Sequence, residues 1–412
     1  MTYKIVTLGC KVNSYESSVL EKKLLEAGYN KDDINPTYIF LNTCAVTSTA
    51  EKQDRQTLRR LINKYPNSKI VVLGCSAQVN KDDYLSYKNV IKVRGSQNKT
   101  TIDDLNIGVK DDVNPSFRSF TYEDSSISKS AYPSKAYLKI QDGCDNFCSY
   151  CIVPYARGRS RSRNRKSIIN EFKNYLDNGI KEIILGGIDV SSFDDDGYSL
   201  KDLLKELTSF DGEYRIRVSS IEISRIDEDY IKIFKDNKHL ANHFHIPLQS
   251  GSTRILKLMN RKYTKEEFLN KVKLIKQILP DVALSSDVIT GFPSETDEDF
   301  NDTIDVIKKV NFMKIHVFPY SERKGTKAVL LDGSIDKHIR SERLKIVEQL
   351  SKENQQNYFN EFKDIQQEIL IERIIEDNIY GYSSNYLYLE AKNNNYKIGN
   401  LVKVSDFKLI EK

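Results

Sequence analysis

Three cysteines, Cys144, Cys148 and Cys151, share the stretch GCDNFCSYC in the spacing CxxxCxxC. A closed zinc or iron–sulfur site takes four thiolate or imidazole donors. This stretch offers three, and no histidine lies within twenty residues on either side. Three thiolates on one short loop can hold three irons of a 4Fe–4S cube. The fourth iron is then open to an outside ligand with amine and carboxylate donors, such as the methionine end of S-adenosylmethionine. A reduced cube beside that sulfonium can pass it one electron and split it, giving an adenosyl radical. The competing arrangement is a zinc ion whose fourth donor comes from elsewhere in the chain.

The other cysteines are Cys10, Cys44 and Cys75. The N-terminus MTYKIVTLGCKVN lacks signal-peptide architecture, so six cysteines in 412 residues point to metal or catalysis rather than disulfides. No apolar run approaches the ~18 residues of a membrane span. With 39 % hydrophobic and 29 % charged residues, the composition is that of a cytoplasmic protein of two or three domains. A net charge of +5 permits a nucleic-acid partner without arguing for one.

Cys10, Cys44 and Cys75 each end a short apolar run: YKIVTLGC (3–10), TYIFLNTC (37–44) and KIVVLGC (69–75). Such runs read as buried parallel strands. The patterns NSYESSVLEKKLLEAGY and TSTAEKQDRQTLRRLINKY between them read as helices. The order is that of a βαβαβ sheet, and it places all three cysteines at the carboxyl edge, where open α/β sheets bind ligands. The plainer reading, three unrelated buried thiols, has to accept three equivalent positions as coincidence.

Residues 106–134 lose the apolar periodicity and read as a linker or a loosely packed crossing. From about 135 to 320, AYLKIQDG, EIILGGIDV, YRIRVSSIEI, NHFHIPLQ, VALSSDVITGF and MKIHVFPY alternate with helical patterns. Six βα units predict an incomplete parallel barrel with its chemistry at the strand carboxyl ends. The CxxxCxxC loop follows the first of these strands. A long amphipathic helix is expected over 336–362, then a small β-barrel with period-two alternation. The expected fold class is α/β, in three domains: 1–115 (parallel βαβ sheet), 133–350 (partial (βα)6 barrel) and 356–412 (small β-barrel).

The cysteine loop resembles that of the radical S-adenosylmethionine enzymes. The stretches LGCKVNSYES, NTCAVT, LGCSAQ, IQDGCDNFCSYCIVPYARGRSRSR, HIPLQSGSTRILKLMNRKYT, DVITGFPSETDEDF and HVFPYSERKGT resemble their methylthiotransferase branch. LGCKVN and NTCAVT look most like the enzymes that thiomethylate threonylcarbamoyladenosine in tRNA, and the C-terminal tail looks like the family's TRAM domain. The resemblance implies a second 4Fe–4S cluster on Cys10, Cys44 and Cys75 whose open iron carries the sulfur to be inserted. One S-adenosylmethionine would methylate that sulfur. Another, at the Cys144, Cys148, Cys151 cluster, would supply the radical that activates ring carbon 2 of the adenine next to the anticodon. A flavodoxin- or ferredoxin-like electron donor is implied. Siblings act on isopentenyladenosine in tRNA or on an aspartate of a ribosomal protein. A reading of another class is a non-catalytic iron–sulfur RNA-binding protein.

The resemblance also implies cofactor contacts: Tyr150 by the adenine, Gly186 and Gly187 at the methionine part, and Ser220 and Glu222 near the ribose. Gln249 would lie nearby, Gly291 close to the adenine, and Phe318 and Tyr320 beside it. For each, the plainer role is a turn or core packing. His243 and His245 read as satisfied barrel residues. The chain departs from the family pattern at Ser294 (Gly in GFPGET), Thr253 (Asp in QSGSD) and Ser160 (Glu in RGRE).

RGRSRSRNRK (157–166) holds six cations and no acid. In an extended chain Arg157, Arg159, Arg161, Arg163 and Arg165 would line one face at ~6.6 Å intervals, a spacing suited to tracking RNA phosphates. The pairs Tyr380/Tyr382 and Tyr386/Tyr388 flank SSN as in a hairpin. Tyr382 and Tyr386 would stack on unpaired bases or pack inside the small barrel. Lys403, with Lys392, Lys397 and Lys408, would add phosphate contacts there.

Overall fold

The apolar runs that end in cysteines are strands of one sheet. In the computed structural model, which describes residues 1–105, 110–114, 120–124, 126–127 and 134–411, β1 (Thr2–Thr7), β2 (Tyr38–Thr43) and β3 (Lys69–Gly74) pair in parallel. A further strand, β4 (Val90–Arg94), which the sequence reading did not single out, extends the sheet beyond β3. The crossovers are α1 (Lys11–Glu26) and α2 (Ser48–Lys64). Thr47 starts α2 by accepting the Ala50 N–H at 3.1 Å, the usual task of a threonine at a helix N-cap. Along β2 and β3 the side chains alternate: Ile39, Leu41, Ile70 and Val72 enter one buried cluster, Tyr38, Phe40, Val71 and Leu73 the other. Apolar layers on both faces explain why these strands read as continuous apolar runs.

The described chain forms two compact units. The first comprises Met1–Ile127, Gln141–Ser167 and Ser321–Val329, the second Ser128–Ile140, Ile168–Tyr320 and Leu330–Lys412. Within the linker expected over 106–134, Asp111–Asp112 pair in parallel with β4 as a short strand, and residues 106–109, 115–119, 125 and 128–133 lie outside the described residues.

The second unit contains the six barrel strands. β5 (Lys135–Lys139), β6 (Glu182–Gly186) and β7 (Arg215–Val218) pair in parallel, as do β8 (His243–His245), β9 (Ala283–Thr290) and β10 (Lys314–Pro319). A single bridge, Ile216–Leu240, joins the two sets. Three barrel helices begin with reciprocal capping boxes, Ser199 with Asp202, Thr264 with Glu267 and Thr296 with Asp299. The helix Lys337–Phe362 follows, near its expected bounds.

The C-terminal segment is a five-stranded antiparallel sheet in the order Leu401–Val404, Gln367–Ile375, Asn378–Ser383, Tyr388–Lys392, Phe407–Leu409. If flat, its edge strands would stand ~19 Å apart, four spacings of ~4.8 Å. Only Ser405 and Asp406 join them, and three Cα steps reach at most ~11 Å. The sheet must therefore curl, as a small half-barrel does.

This sheet is tied to the amino ends of the barrel strands. Glu182, the first residue of β6, accepts from Arg215 at 2.7 Å and Arg217 at 3.3 Å, and all three are buried. Arg215 also donates to the carbonyls of Glu368 (3.1 Å) and Tyr382 (2.9 Å), and Arg217 to those of Ser383 (3.0 Å) and Ser384 (3.1 Å). Lys135, which opens β5, pairs with Glu372. The carboxyl ends, where barrels of this kind do chemistry, are at the opposite end of the same strands. Among the described residues no helix is long and apolar enough to cross a membrane.

Candidate cluster and cofactor sites

Each N-terminal cysteine stands just past a strand. Cys10 is the exposed N-cap of α1, Cys44 follows β2 directly and is buried, and Cys75 opens the short helix Cys75–Val79 and is buried. Gly9 (φ +96°) makes this possible, since a Cβ there would stand 2.6 Å from Cys44 Cβ and 2.8 Å from its sulfur. Gly74 (φ +104°) plays the same part before Cys75. Burial pushes the Cys44 thiol up to about 12, and the neighbouring Cys75 and Cys10 sulfurs push it the same way, so the three share one electrostatic neighbourhood. Without metal the Cys44 thiol is protonated at neutral pH; a bound iron cation reverses that balance. The Cys44 N–H donates to Asp54 at 3.0 Å.

The CxxxCxxC loop sits between two short strands, Gln141–Asp142 and Arg161–Ser162, paired antiparallel. Gln141 Nε2 donates across the loop base to the Gly143 carbonyl (2.7 Å) and to Ser160 Oγ (3.0 Å), which is the role of the departure at Ser160. Inside the loop the Cys144 N–H donates to Gly158 O (3.1 Å) and the Cys151 N–H to Cys148 O (2.9 Å). The Asn146 N–H points at Cys144 Sγ, 3.5 Å away. Phe147 adopts φ +46° and sets its ring edge-on to Tyr155. Just beyond Cys151, Ile152 and Ala156 pack against Ala45 and Cys75. Both cysteine triads thus belong to the first unit, with residues beside one touching residues of the other.

Each triad offers three sulfurs and no fourth protein donor is implied, which fits a cube with one open iron. Among the described residues no three His, Cys, Asp or Glu side chains close around a single ion. Sulfurs that each bind a different iron of a cube stand farther apart than sulfurs sharing one ion.

Apart from Tyr150, the residues expected around S-adenosylmethionine are in the second unit, and most lie at or just past strand carboxyl ends. Gly186 ends β6, and a Cβ there would meet the Tyr137 ring at 2.0 Å; Gly187 follows. Ser220 and Glu222 come just after β7. Glu222 pairs with Arg261 at 2.6 Å through one oxygen, and its other oxygen, Oε1, is buried without a partner. Burial holds this carboxyl above its usual range. An unmet acceptor at a strand end fits a ligand hydroxyl or amine. Gln249 (φ +63°) is bound by backbone to Asp287 and Ile289. Gly291 (φ +68°) admits no side chain, because a Cβ would stand 2.3 Å from Arg340 Cγ. Phe318 is 45 % exposed, whereas Tyr320 is buried against Phe292 and beneath Arg340. Tyr150, half-buried, belongs to the first unit. His243 Nε2 and His245 Nδ1 both stand 2.8 Å from Ser285 Oγ, and His245 Nε2 stands 3.1 Å from Asp287.

Ser294, where the family pattern has glycine, has φ +66°. Its hydroxyl donates to Asp332 O and its N–H to Gly333 O, both at 2.7 Å. Ser294→Ala keeps the strained backbone and loses a hydrogen bond, so it is expected to cost about 1 kcal/mol. Ser294→Gly loses the same bond but relieves the left-handed φ, and is expected within about 0.5 kcal/mol of the parent. Urea unfolding of both variants checks the order.

Several expected RNA contacts are corrected. Arg157 and Arg163 are buried, 1 % and 0 % exposed. Arg157 ends the helix Val153–Arg157, and Gly158 (φ +82°) turns the chain, so the alternating arginines never form one extended face. Arg163 is held by Asp124 (2.9 Å) and Tyr15 Oη (3.2 Å). Arg161 pairs with Asp142 at 3.0 Å. Arg159, paired with Asp145 over the Phe147 ring, and Arg165 are exposed. Tyr382 and Tyr386 do flank a hairpin, but they stack on each other (4.7 Å), Tyr386 also stacks on His243 (4.5 Å), and Arg217 and Lys135 cover the two rings. Their faces are spent on packing. Lys403 is exposed on an edge strand. The buried group Asn13, Glu16, Asp142 and Arg157 was missed as a unit; its only sequence signal is two polar residues one helical turn apart, at positions 13 and 16 of α1.

The Radical SAM superfamily model matches residues 138–307, and the model of Uncharacterized protein family UPF0004 matches residues 2–94. The chain is 38 % identical to threonylcarbamoyladenosine tRNA methylthiotransferase MtaB of Bacillus subtilis, covering 98 % of this chain and 93 % of that protein. It is 36 % identical to the Chlamydia pneumoniae protein of that name, covering 93 % and 89 %. It is 35 % identical to tRNA-2-methylthio-N(6)-dimethylallyladenosine synthase of Lachnoclostridium phytofermentans, covering 98 % and 92 %. Among solved structures, the fold is similar to the radical S-adenosylmethionine methyltransferase TsrM of Kitasatospora setae (TM-score 0.56, 14 % identity, covering 77 % of this chain and 74 % of that one).

Proposed function

The chain belongs to the radical S-adenosylmethionine methylthiotransferase family, and from that premise we propose that it inserts a methylthio group at ring carbon 2 of threonylcarbamoyladenosine next to the anticodon of tRNA. Its cofactors are two 4Fe–4S clusters and S-adenosylmethionine. The observation that carries the reading is the pair of cysteine triads, each one donor short, within one compact unit. When bound, these groups supply one-electron cleavage of the sulfonium and a carried sulfur, an open-shell route suited to a ring C–H bond that acid–base side chains do not functionalise.

The residues divide the work. Cys144, Cys148 and Cys151 hold the cluster that meets S-adenosylmethionine; Cys10, Cys44 and Cys75 hold the other. The unmet Glu222 Oε1 accepts a hydrogen bond from the cofactor, and Arg261 holds that carboxylate in place. In the second unit, Gly187, Ser220, Gln249, Gly291 and Phe318 are the further residues assigned to the cofactor; in the first unit, Tyr150 is. Arg159, Arg165 and Lys403 are the exposed cations offered to RNA phosphates. A flavodoxin- or ferredoxin-like donor supplies the electron, and the enzyme works in the cytoplasm. The domains are taken as 1–115, 133–350 and 356–412.

Relatives named for dimethylallyladenosine, 35 % identical, favour a second reading with the same chemistry on isopentenyladenosine. Mass analysis of tRNA nucleosides from a strain lacking the gene decides between them. The methylthio form of threonylcarbamoyladenosine is expected to disappear; loss of the isopentenyl derivative instead would refute the assignment.

A further inference from the structure

Arg157 closes the short helix that follows Cys151, and its side chain is 1 % exposed. Its guanidinium meets both carboxylate oxygens of Glu16, at 2.9 and 3.1 Å, and Asn13 Oδ1 at 2.6 Å. It also meets Asp142 Oδ1 at 3.1 Å. Asn13 and Glu16 lie in the first turns of α1, the helix that Cys10 caps. Asn13 reaches further: its amide donates to the carbonyls of Leu8 (2.8 Å) and Thr43 (3.0 Å), the latter immediately before Cys44. Asp142 lies two residues before Cys144, and its second oxygen accepts from Arg161. One guanidinium therefore ties the backbone carrying Cys10 and Cys44 to the backbone that enters and leaves the CxxxCxxC loop.

A buried ion pair is weak evidence for stability, because desolvation offsets much of the attraction; its better-attested use is to set register. A planar fork with five donors can serve Glu16, Asn13 and Asp142 together, whereas an ammonium on a flexible stem cannot hold that geometry.

We propose that Arg157 is a positioning residue that holds the CxxxCxxC loop in register with the N-terminal cysteines, and so sets the separation between the two clusters. The inference rests on the function proposed above for the presence of both clusters. Coupling between radical formation and sulfur insertion depends on that separation, since misplacing a reacting group by an ångström can cost orders of magnitude in rate.

Arg157→Lys keeps a cation beside Glu16 and Asp142, which also pair with Lys99 and Arg161 respectively, so the charge of the buried group is unchanged. In full-length protein reconstituted without oxygen, it is expected to bind iron as the parent does and to release 5′-deoxyadenosine within about threefold of the parent rate. Methylthiolated nucleoside formed per 5′-deoxyadenosine is expected to fall by about tenfold or more. The magnetic interaction between the two reduced clusters, read by electron paramagnetic resonance, should change in the same variant. Asn13→Ala, which leaves every charge in place, should move both readouts the same way by less.

Parallel losses of iron, melting temperature and both activities, with the cluster interaction unchanged in the remaining holoprotein, would make Arg157 merely structural and overturn the proposal. A parent-like product ratio and spectrum in Arg157→Lys would overturn it too. Parent protein with two interacting clusters but no product from threonylcarbamoyladenosine would refute the function instead, and the spectral change in Arg157→Lys would still decide the role of Arg157. Parent protein with a single cluster would refute both.

Discussion

Cys44→Ala protein is expected to cleave S-adenosylmethionine at close to the parent rate while methylthiolation falls below detection. Iron should drop from roughly eight to roughly four atoms per chain, the content of one cube rather than two. The separation of effects follows from placement. Cys44 stands at the end of β2 beside Cys10 and Cys75, while the loop that would hold the other cluster is closed by its own hairpin stem and internal hydrogen bonds. The substitution itself is mild. With burial pushing its pKa to about 12, the metal-free Cys44 carries no charge at neutral pH, so alanine removes one sulfur and no ion pair. The metal-free variant should lose only about 1 kcal/mol of stability. Anaerobic assays of 5′-deoxyadenosine and of modified nucleoside on one preparation check the split; a variant that still thiomethylates tRNA would remove the N-terminal triad from the mechanism.

Glu182→Gln should be strongly destabilising, at about 3–5 kcal/mol, because it takes the shared carboxylate from two buried guanidiniums. Arg215 and Arg217 would keep their bonds to the C-terminal sheet but lose the carboxylate that neutralises both. Loosening of the C-terminal half-barrel, read by limited proteolysis, should accompany the loss measured by urea unfolding. Acid tests the same group. Burial by itself would push the Glu182 carboxyl up, but the two guanidiniums outweigh it and hold the group at about 2 instead of the ordinary 4.5. A depressed carboxyl contributes stability that is complete above about pH 4.5 and is lost as pH falls toward 2. With 1.36 kcal/mol per pKa unit, the loss is about 3 kcal/mol. The slope of stability against pH between 4.5 and 2 should therefore be shallower in Glu182→Gln than in the parent; equal slopes would mean that the pair contributes nothing in acid.

The placement of the six cysteines needed only local information. CxxxCxxC is an eight-residue matter, and Cys10, Cys44 and Cys75 follow apolar runs whose length and composition already specify buried parallel strands. The six barrel strands and the long helix were legible for the same reason: burial on both faces or on one stripe leaves a repeating mark in the residues. β4 left a weaker mark, because Lys92 and Arg94 interrupt its apolar run and are buried with bonds to Asp104, Asp112 and the Thr101 carbonyl.

The tertiary structure alone decided what the charged and aromatic side chains do. Five alternating arginines look like one face of a strand until a helix end and a left-handed Gly158 break the alternation, and Arg157 and Arg163 turn inward to acids far away in sequence. Tyr382 and Tyr386 look ready to stack on bases until His243, Arg217 and Lys135 occupy their faces. Strand and helix periods are written by neighbours a few residues apart. The partner of a buried charge or ring is chosen by chain as far as 141 residues away, as Glu16 is from Arg157, and no local pattern carries that choice.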